Sequence, residues 1–114
     1  LYTVLIWLCY FLQLYVCIFA FQFTRHLSIG DVFTLFTAGS ISAGLPVQGG
    51  IGAWHFAVIS LLVIFGIGQT EAGAFALVAH GAQMVLIILL GIYTVFSIAT
   101  EKKTIKKEPA VTAI

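Results

Sequence analysis

Two histidines stand out in a chain with little else that could do chemistry. His55 follows a Pro/Gly-rich stretch by one helical turn, and His80 lies inside a long apolar run. Ionisable side chains in such runs are costly in a bilayer and usually face the interior of a helix bundle. An imidazole placed there can contact a polar headgroup, respond to protons, or pack as a neutral hydrogen-bonded ring. Asp31, Thr34 and Thr37 form a polar edge on another short segment, and Gln83 sits three residues after His80. A wholly lipid-facing helix needs none of these. The remaining candidate is the stretch Leu45-Pro46-Val47-Gln48-Gly49-Gly50-Ile51-Gly52. Pro46 lacks an N–H and disfavours helix at Leu45. The glycines admit close backbone approach. A helix that resumes after such a break presents free N–H groups and a positive dipole end, which suit an anionic group. The residues that could line an internal polar site are therefore Asp31, Thr34, Thr37, Pro46, Gln48, Gly49, Gly50, Gly52, His55, His80 and Gln83.

Other chemistries find no support. No carboxylate pair, Ser/His/Asp set or nucleotide loop can be assembled, and two histidines fall short of the three or four ligands a metal site wants. The expectation is a non-enzymatic protein with no cofactor and no metal. Cys9 and Cys17, eight residues apart on one helix, cannot meet in a disulfide and read as small packing residues.

These residues are carried by an unusually apolar chain. Of 114 residues, 61% are hydrophobic and 8% charged, with mean hydropathy +1.14. Soluble domains carry about 25% charged residues. Glu101, Lys102, Lys103, Lys106, Lys107 and Glu108 lie in the tail, leaving Arg25, Asp31 and Glu71 for everything before it. That excludes a soluble enzyme, a disulfide-stapled secreted module, a nucleic-acid binder and a disordered chain. The apolar runs do not alternate as the strands of an outer-membrane barrel would. The fold class expected is all-α: a polytopic membrane helix bundle with two short half-helices around a Pro/Gly loop.

One hundred helical residues at about 1.5 Å each reach roughly 150 Å. Against a hydrocarbon core of about 30 Å, three or four crossings are realistic. Leu1–Phe23 is long enough to span, and Arg25 and His26 end it at an interface. It lacks the basic start and small-residue cleavage site of a signal peptide. A short segment from Ile29 to Gly44 follows, with Ser28 as N-cap and Asp31 in the first turn. Its small residues recur four apart at Ala38/Ser42, Gly39/Ala43 and Ser40/Gly44, which lets another helix come close. Another short segment spans Ala53–Gly66, and Gly66-Ile67-Gly68-Gln69-Thr70 is a turn with Thr70 expected to cap the last helix. That helix is expected to run to about Ala99, with Ala72, Ala76, His80, Gln83, Gly91 and Thr94 as a small or polar stripe and Leu86, Ile88, Leu89, Ile92 and Phe96 facing lipid or apolar neighbours. Residues 1–100 thus read as a transmembrane domain, the C-terminal piece of a longer protein whose preceding helices would be its partners. Residues 101–114 read as a basic, disordered, cytoplasmic tail, since lysines flanking a span are retained inside.

At Pro46-Val47-Gln48-Gly49-Gly50-Ile51-Gly52 the sequence resembles the transmembrane region of the lysylphosphatidylglycerol synthases and related flippase-like integral membrane proteins. The family pattern is similar to Pro-x-Pro-Gly-Gly-x-Gly, followed by a polar residue, a glycine-containing turn and a long helix with a basic or polar residue in its first third. Those elements correspond here to His55, Gly66-Ile67-Gly68, His80 and Gly91, so that the resemblance covers about residues 28–98. Gln48 stands where a second proline is usual, His55 where many members have Glu, and His80 where many have Arg. The resemblance implies an inner-membrane, multi-pass domain that binds a lipid or moves it between leaflets, an anionic phospholipid being the expected partner. Two alternatives remain at this point: a non-transporting scaffold for a lipid- or envelope-modifying membrane enzyme, and a secondary transporter for a small anion. The short segments either form a re-entrant hairpin or include one full crossing.

Overall fold

The computed structural model of the chain describes residues 1–47 and 51–105. Among them the architecture is all-α. The order is α1 (Tyr2–Ala20), a short 3-10 turn (Gln22–Thr24), α2 (Ile29–Ala43), α3 (Ala53–Ile64) and α4 (Gln69–Ile105). By length and composition, α1 and the Gln69–Lys102 part of α4 are apolar enough to cross a membrane. That is two such helices among the described residues, against the three or four crossings expected, because α2 and α3 have 15 and 12 residues.

Local chemistry sets the helix ends. The end of α1 is tied off by two side chains. Thr24 Oγ1 donates to the Ile18 carbonyl at 2.6 Å, and Arg25 donates through Nε and one terminal nitrogen to the Phe19 carbonyl. These bonds satisfy carbonyls that a helix terminus leaves open. α2 starts as expected with a capping box: the Asp31 N–H donates to Ser28 Oγ, and the Ser28 N–H donates to Asp31 Oδ2 at 2.8 Å. α3 ends in a Schellman motif. Gly66 N–H donates to Val63 and Ile67 N–H to Leu62, both at 3.0 Å, with Gly66 at φ +87.

Two boundaries differ from the sequence reading. The Ala72 N–H donates to the Gly68 carbonyl at 2.8 Å, so α4 begins at Gln69 and Thr70 lies inside its first turn rather than capping it. At the other end α4 passes Ala99 and reaches Ile105, where a disordered tail was expected from Glu101. Glu and Lys are good helix formers, and charge alone does not stop a helix.

The chain divides into two units, residues 1–83 and residues from Met84 onward. The core belongs to the first. Each helix contributes a stripe at helical spacing: Leu14 and Ile18 from α1, Val32, Leu35 and Gly39 from α2, Trp54, Val58 and Leu62 from α3, and Ala72, Phe75, Ala76 and Ala79 from α4. Phe11 joins α1 to α2 through edge contacts with Phe33 and Phe36. In the second unit the expected outward residues Leu86, Ile88, Leu89, Ile92 and Phe96 are exposed, and so are Gly91 and Thr94 of the expected stripe. So much exposed apolar surface fits lipid as the surrounding solvent.

Candidate functional site

The first unit brings the two histidines together. Their ring centroids are 4.8 Å apart at an interplanar angle of 58°. Trp54 completes the group, 5.4 Å from His55 and 5.1 Å from His80. α3 places Trp54 and His55 in its first turn, after Gly52 at φ +94, a conformation L side chains rarely adopt. α4 places His80 on the same stripe as Ala72 and Ala76, whose small side chains are fully buried. α2 presents Gly39 to the indole, so closely that a Cβ there would lie 2.6 Å from Trp54 Nε1.

His80 is 8% exposed, and neither of its ring nitrogens has a hydrogen-bond partner; His55 Nδ1 is buried and also without one. Buried polar groups are ordinarily paired, and leaving one unpaired costs about 1–3 kcal/mol. An imidazole pair held this way beside an indole is suited to receive a polar group inside an apolar protein.

A residue the sequence reading passed over belongs beside them. Gln13 of α1 donates through Nε2 to the Ala79 carbonyl at 3.2 Å, next to His80, and its Oε1 is buried without a partner. Its signal was in the sequence: a glutamine in an otherwise unbroken apolar helix has reason to face the interior.

The structure gives other expected site residues different surroundings. Asp31 is committed to the Ser28 cap. Those hydrogen bonds, first from the Ser28 hydroxyl and then from its backbone N–H, hold the Asp31 carboxyl below the usual carboxylate range. Thr34 and Thr37 are exposed, and their hydroxyls donate to the Gly30 and Phe33 carbonyls of their own helix at 2.9 and 2.8 Å. Such back-bonding hides a hydroxyl without a partner from elsewhere. Pro46 is exposed in the bend after α2. Gln83, three residues after His80 on α4, is half-buried. Gln48, Gly49 and Gly50 lie outside the described residues. Among the described residues no group of three metal-ligating side chains occurs.

No curated protein and no solved structure matches the chain. The family model described as the lysylphosphatidylglycerol synthase TM region matches residues 1–91, which takes in α1 as well as the stretch from residue 28 that carried the resemblance. With that match running over α1, α2, α3 and most of α4, the chain belongs to the lysylphosphatidylglycerol synthase TM region family.

Proposed function

We propose that this chain is a flippase-like domain that binds a membrane lipid and lets its headgroup pass between leaflets. The observation that carries the reading is the His55–His80 contact, with buried, unpartnered imidazole nitrogens in a chain whose outer surface is apolar. Moving a polar headgroup through hydrocarbon without partners costs several kcal/mol or more, and an internal polar cluster lowers that barrier while the acyl chains stay in lipid. The family concerns the membrane part of a lipid-modifying protein, which supports lipid as the substrate. No covalent step is assigned to the chain.

In this reading α1 and α4 cross the inner membrane. α2 and α3, about 22 and 18 Å long at 1.5 Å per residue, enter and return as a re-entrant pair. The basic end of α4 and the lysines after it lie in the cytoplasm. The small-residue face of α2, which the scaffold alternative would lend to a partner, is occupied at Gly39 by Trp54 of the same chain. A small-anion transporter would use the amides at the start of α3, part of whose approach lies outside the described residues.

The test is leaflet exchange of a labelled lipid in proteoliposomes. The wild-type chain should raise the exchange rate above that of protein-free vesicles, and replacing both His55 and His80 by Leu should return it to that background. Exchange unchanged in the double variant would remove the site from the proposal.

A further inference from the structure

Gln13 Oε1, His55 Nδ1 and both ring nitrogens of His80 are buried without a hydrogen-bond partner. Buried polar atoms are ordinarily paired, so a packing that leaves these bare carries a cost. Being buried, they meet an outside group only when helices part. Parting also relieves the cost, because water or a headgroup can then pair with them.

The helices of the first unit are not held equally. α2 and α3 run with their backbones close together, and Gly39 closes on the Trp54 ring. α1 lies against α2, with Trp7 and Phe11 both edge-on to Phe36. The backbone of α4 approaches none of the three to the same extent, and side chains make its contacts. Towards α3 these come from His80, which meets Trp54 and His55. Towards α1 they include Gln13 Nε2, which donates to the Ala79 carbonyl at 3.2 Å. Just past the end of α1, the Phe21 ring lies edge-on to Phe75 with centroids 5.7 Å apart.

The Gln13 bond can break at little expense to α4. The Ala79 carbonyl lies within that helix, where it also accepts the N–H four residues on. Hydrogen bonds between helices in a membrane are individually weak. His80 is the residue after the acceptor, so a shift of α4 that breaks the bond moves the imidazole with it.

From this we infer that the seam between α1 and residues 69–83 of α4 is a gate, latched by Gln13 on the Ala79 carbonyl, through which a lipid headgroup reaches His55 and His80. The inference rests on the lipid-translocation reading and names the route to its site. A headgroup that pairs with the bared atoms binds the open seam and not the closed one, so it shifts the population towards open. The latch keeps the seam shut at other times.

Trp7→Phe leaves Trp54 as the sole tryptophan, beside both imidazoles. The full chain with that change is placed in phosphatidylcholine nanodiscs that include a phosphatidylcholine carrying a nitroxide on its headgroup. The nitroxide quenches an indole that it approaches. Gln13→Asn keeps the amide but shortens it by one methylene, so the latch is lost while the bare oxygen stays. It should raise the quenching constant by about twofold or more, as for an equilibrium that loses one interhelical hydrogen bond. Phe21→Leu loosens the other contact of the same seam and should act in the same direction. Phe11→Leu loosens α1 from α2 instead and should leave quenching at the starting level. No increase in either seam variant overturns the inference. So does an equal increase in Phe11→Leu, since α1 would then be loosened generally and not at one seam. Raised quenching in both seam variants without any leaflet exchange in the proteoliposome assay supports the gate and overturns the translocation reading. Leaflet exchange with unchanged quenching in both seam variants overturns the gate and leaves that reading standing.

Discussion

Gly39 and Trp54 fit each other as a void fits its filling. A methyl group at position 39 would stand 2.6 Å from Trp54 Nε1 and 3.1 Å from Cδ1. The indole that contacts both imidazoles therefore depends on a missing side chain one helix away. α2 thereby reaches the histidines without contributing a polar group to them.

Gly39→Ala should accordingly disturb the site from outside it. Overpacking a core position costs about 1–3 kcal/mol, while alanine in a helix interior gains about 1 kcal/mol over glycine. The net expectation is a destabilisation of about 1 kcal/mol, measured by unfolding in mixed micelles. A phenyl ring lacks the indole edge that the new methyl group meets. In a Trp54→Phe background the same substitution should become neutral or stabilising. Strict additivity of the two changes would show that position 39 does not act through the indole.

The glycine at the end of α3 makes a different demand. Gly66 sits at φ +87 with open space around its Cα, so backbone strain rather than crowding penalises a side chain there. Gly66→Ala should cost about 1–2 kcal/mol and loosen the turn that brings α4 back to α3. Gly73→Ala is the matched control: it has an ordinary φ and nothing within 4 Å of its added Cβ, and it should be neutral or mildly stabilising. Both are read from the same unfolding curves, and equal effects would dismiss the strain argument.

Much of this was legible because it is local. Ser28 and Asp31 announce the start of α2 by type and spacing, and Gly66 announces the end of α3. The alanines at 72 and 76 marked the buried side of α4, and His80 follows on that stripe. Tertiary facts were less legible. Gln13 meets Ala79 across 66 positions of sequence, and nothing near Gln13 names that partner. Thr34 and Thr37 read as site residues because polar side chains in oil need partners, yet their own helix supplies the acceptors. Thr70 lost the cap to Gly68 because the first intrahelical bond forms two residues earlier.

Acid should weaken the start of α2. The Asp31 carboxyl lies outside the two helices long enough to span, and its range is lowered by the Ser28 hydroxyl and backbone N–H. A depressed carboxyl stabilises the fold above its unfolded range, and that contribution fades as pH falls through the folded value. Ser28→Ala removes the larger of the two hydrogen bonds. The gap in stability between wild type and Ser28→Ala should be widest at neutral pH and shrink toward pH 3. A gap independent of pH would mean that the carboxylate takes no part in the cap.

The proposed re-entrant placement of α2 and α3 makes a topological prediction that depends on no ligand. Cys9 and Cys17 are the native thiols and are first replaced by serine. Thr24 is unsuited to labelling, being fully buried and bonded to the Ile18 carbonyl. His26 and Gln69 are exposed, lie just before α2 and at the start of α4, and bracket the pair. Cysteines introduced there should react with a membrane-impermeant maleimide from the same side, and that side should be opposite to a cysteine replacing Lys102. With both reporters on one face, α2 and α3 enter and leave together, and the imidazoles they cover sit within the membrane rather than at its far surface. Labelling of positions 26 and 69 from opposite sides would require one of the two short helices to cross alone, over a hydrocarbon thickness of about 30 Å that neither can span at its observed length. The translocation path would then have to be redrawn around a thinned bilayer.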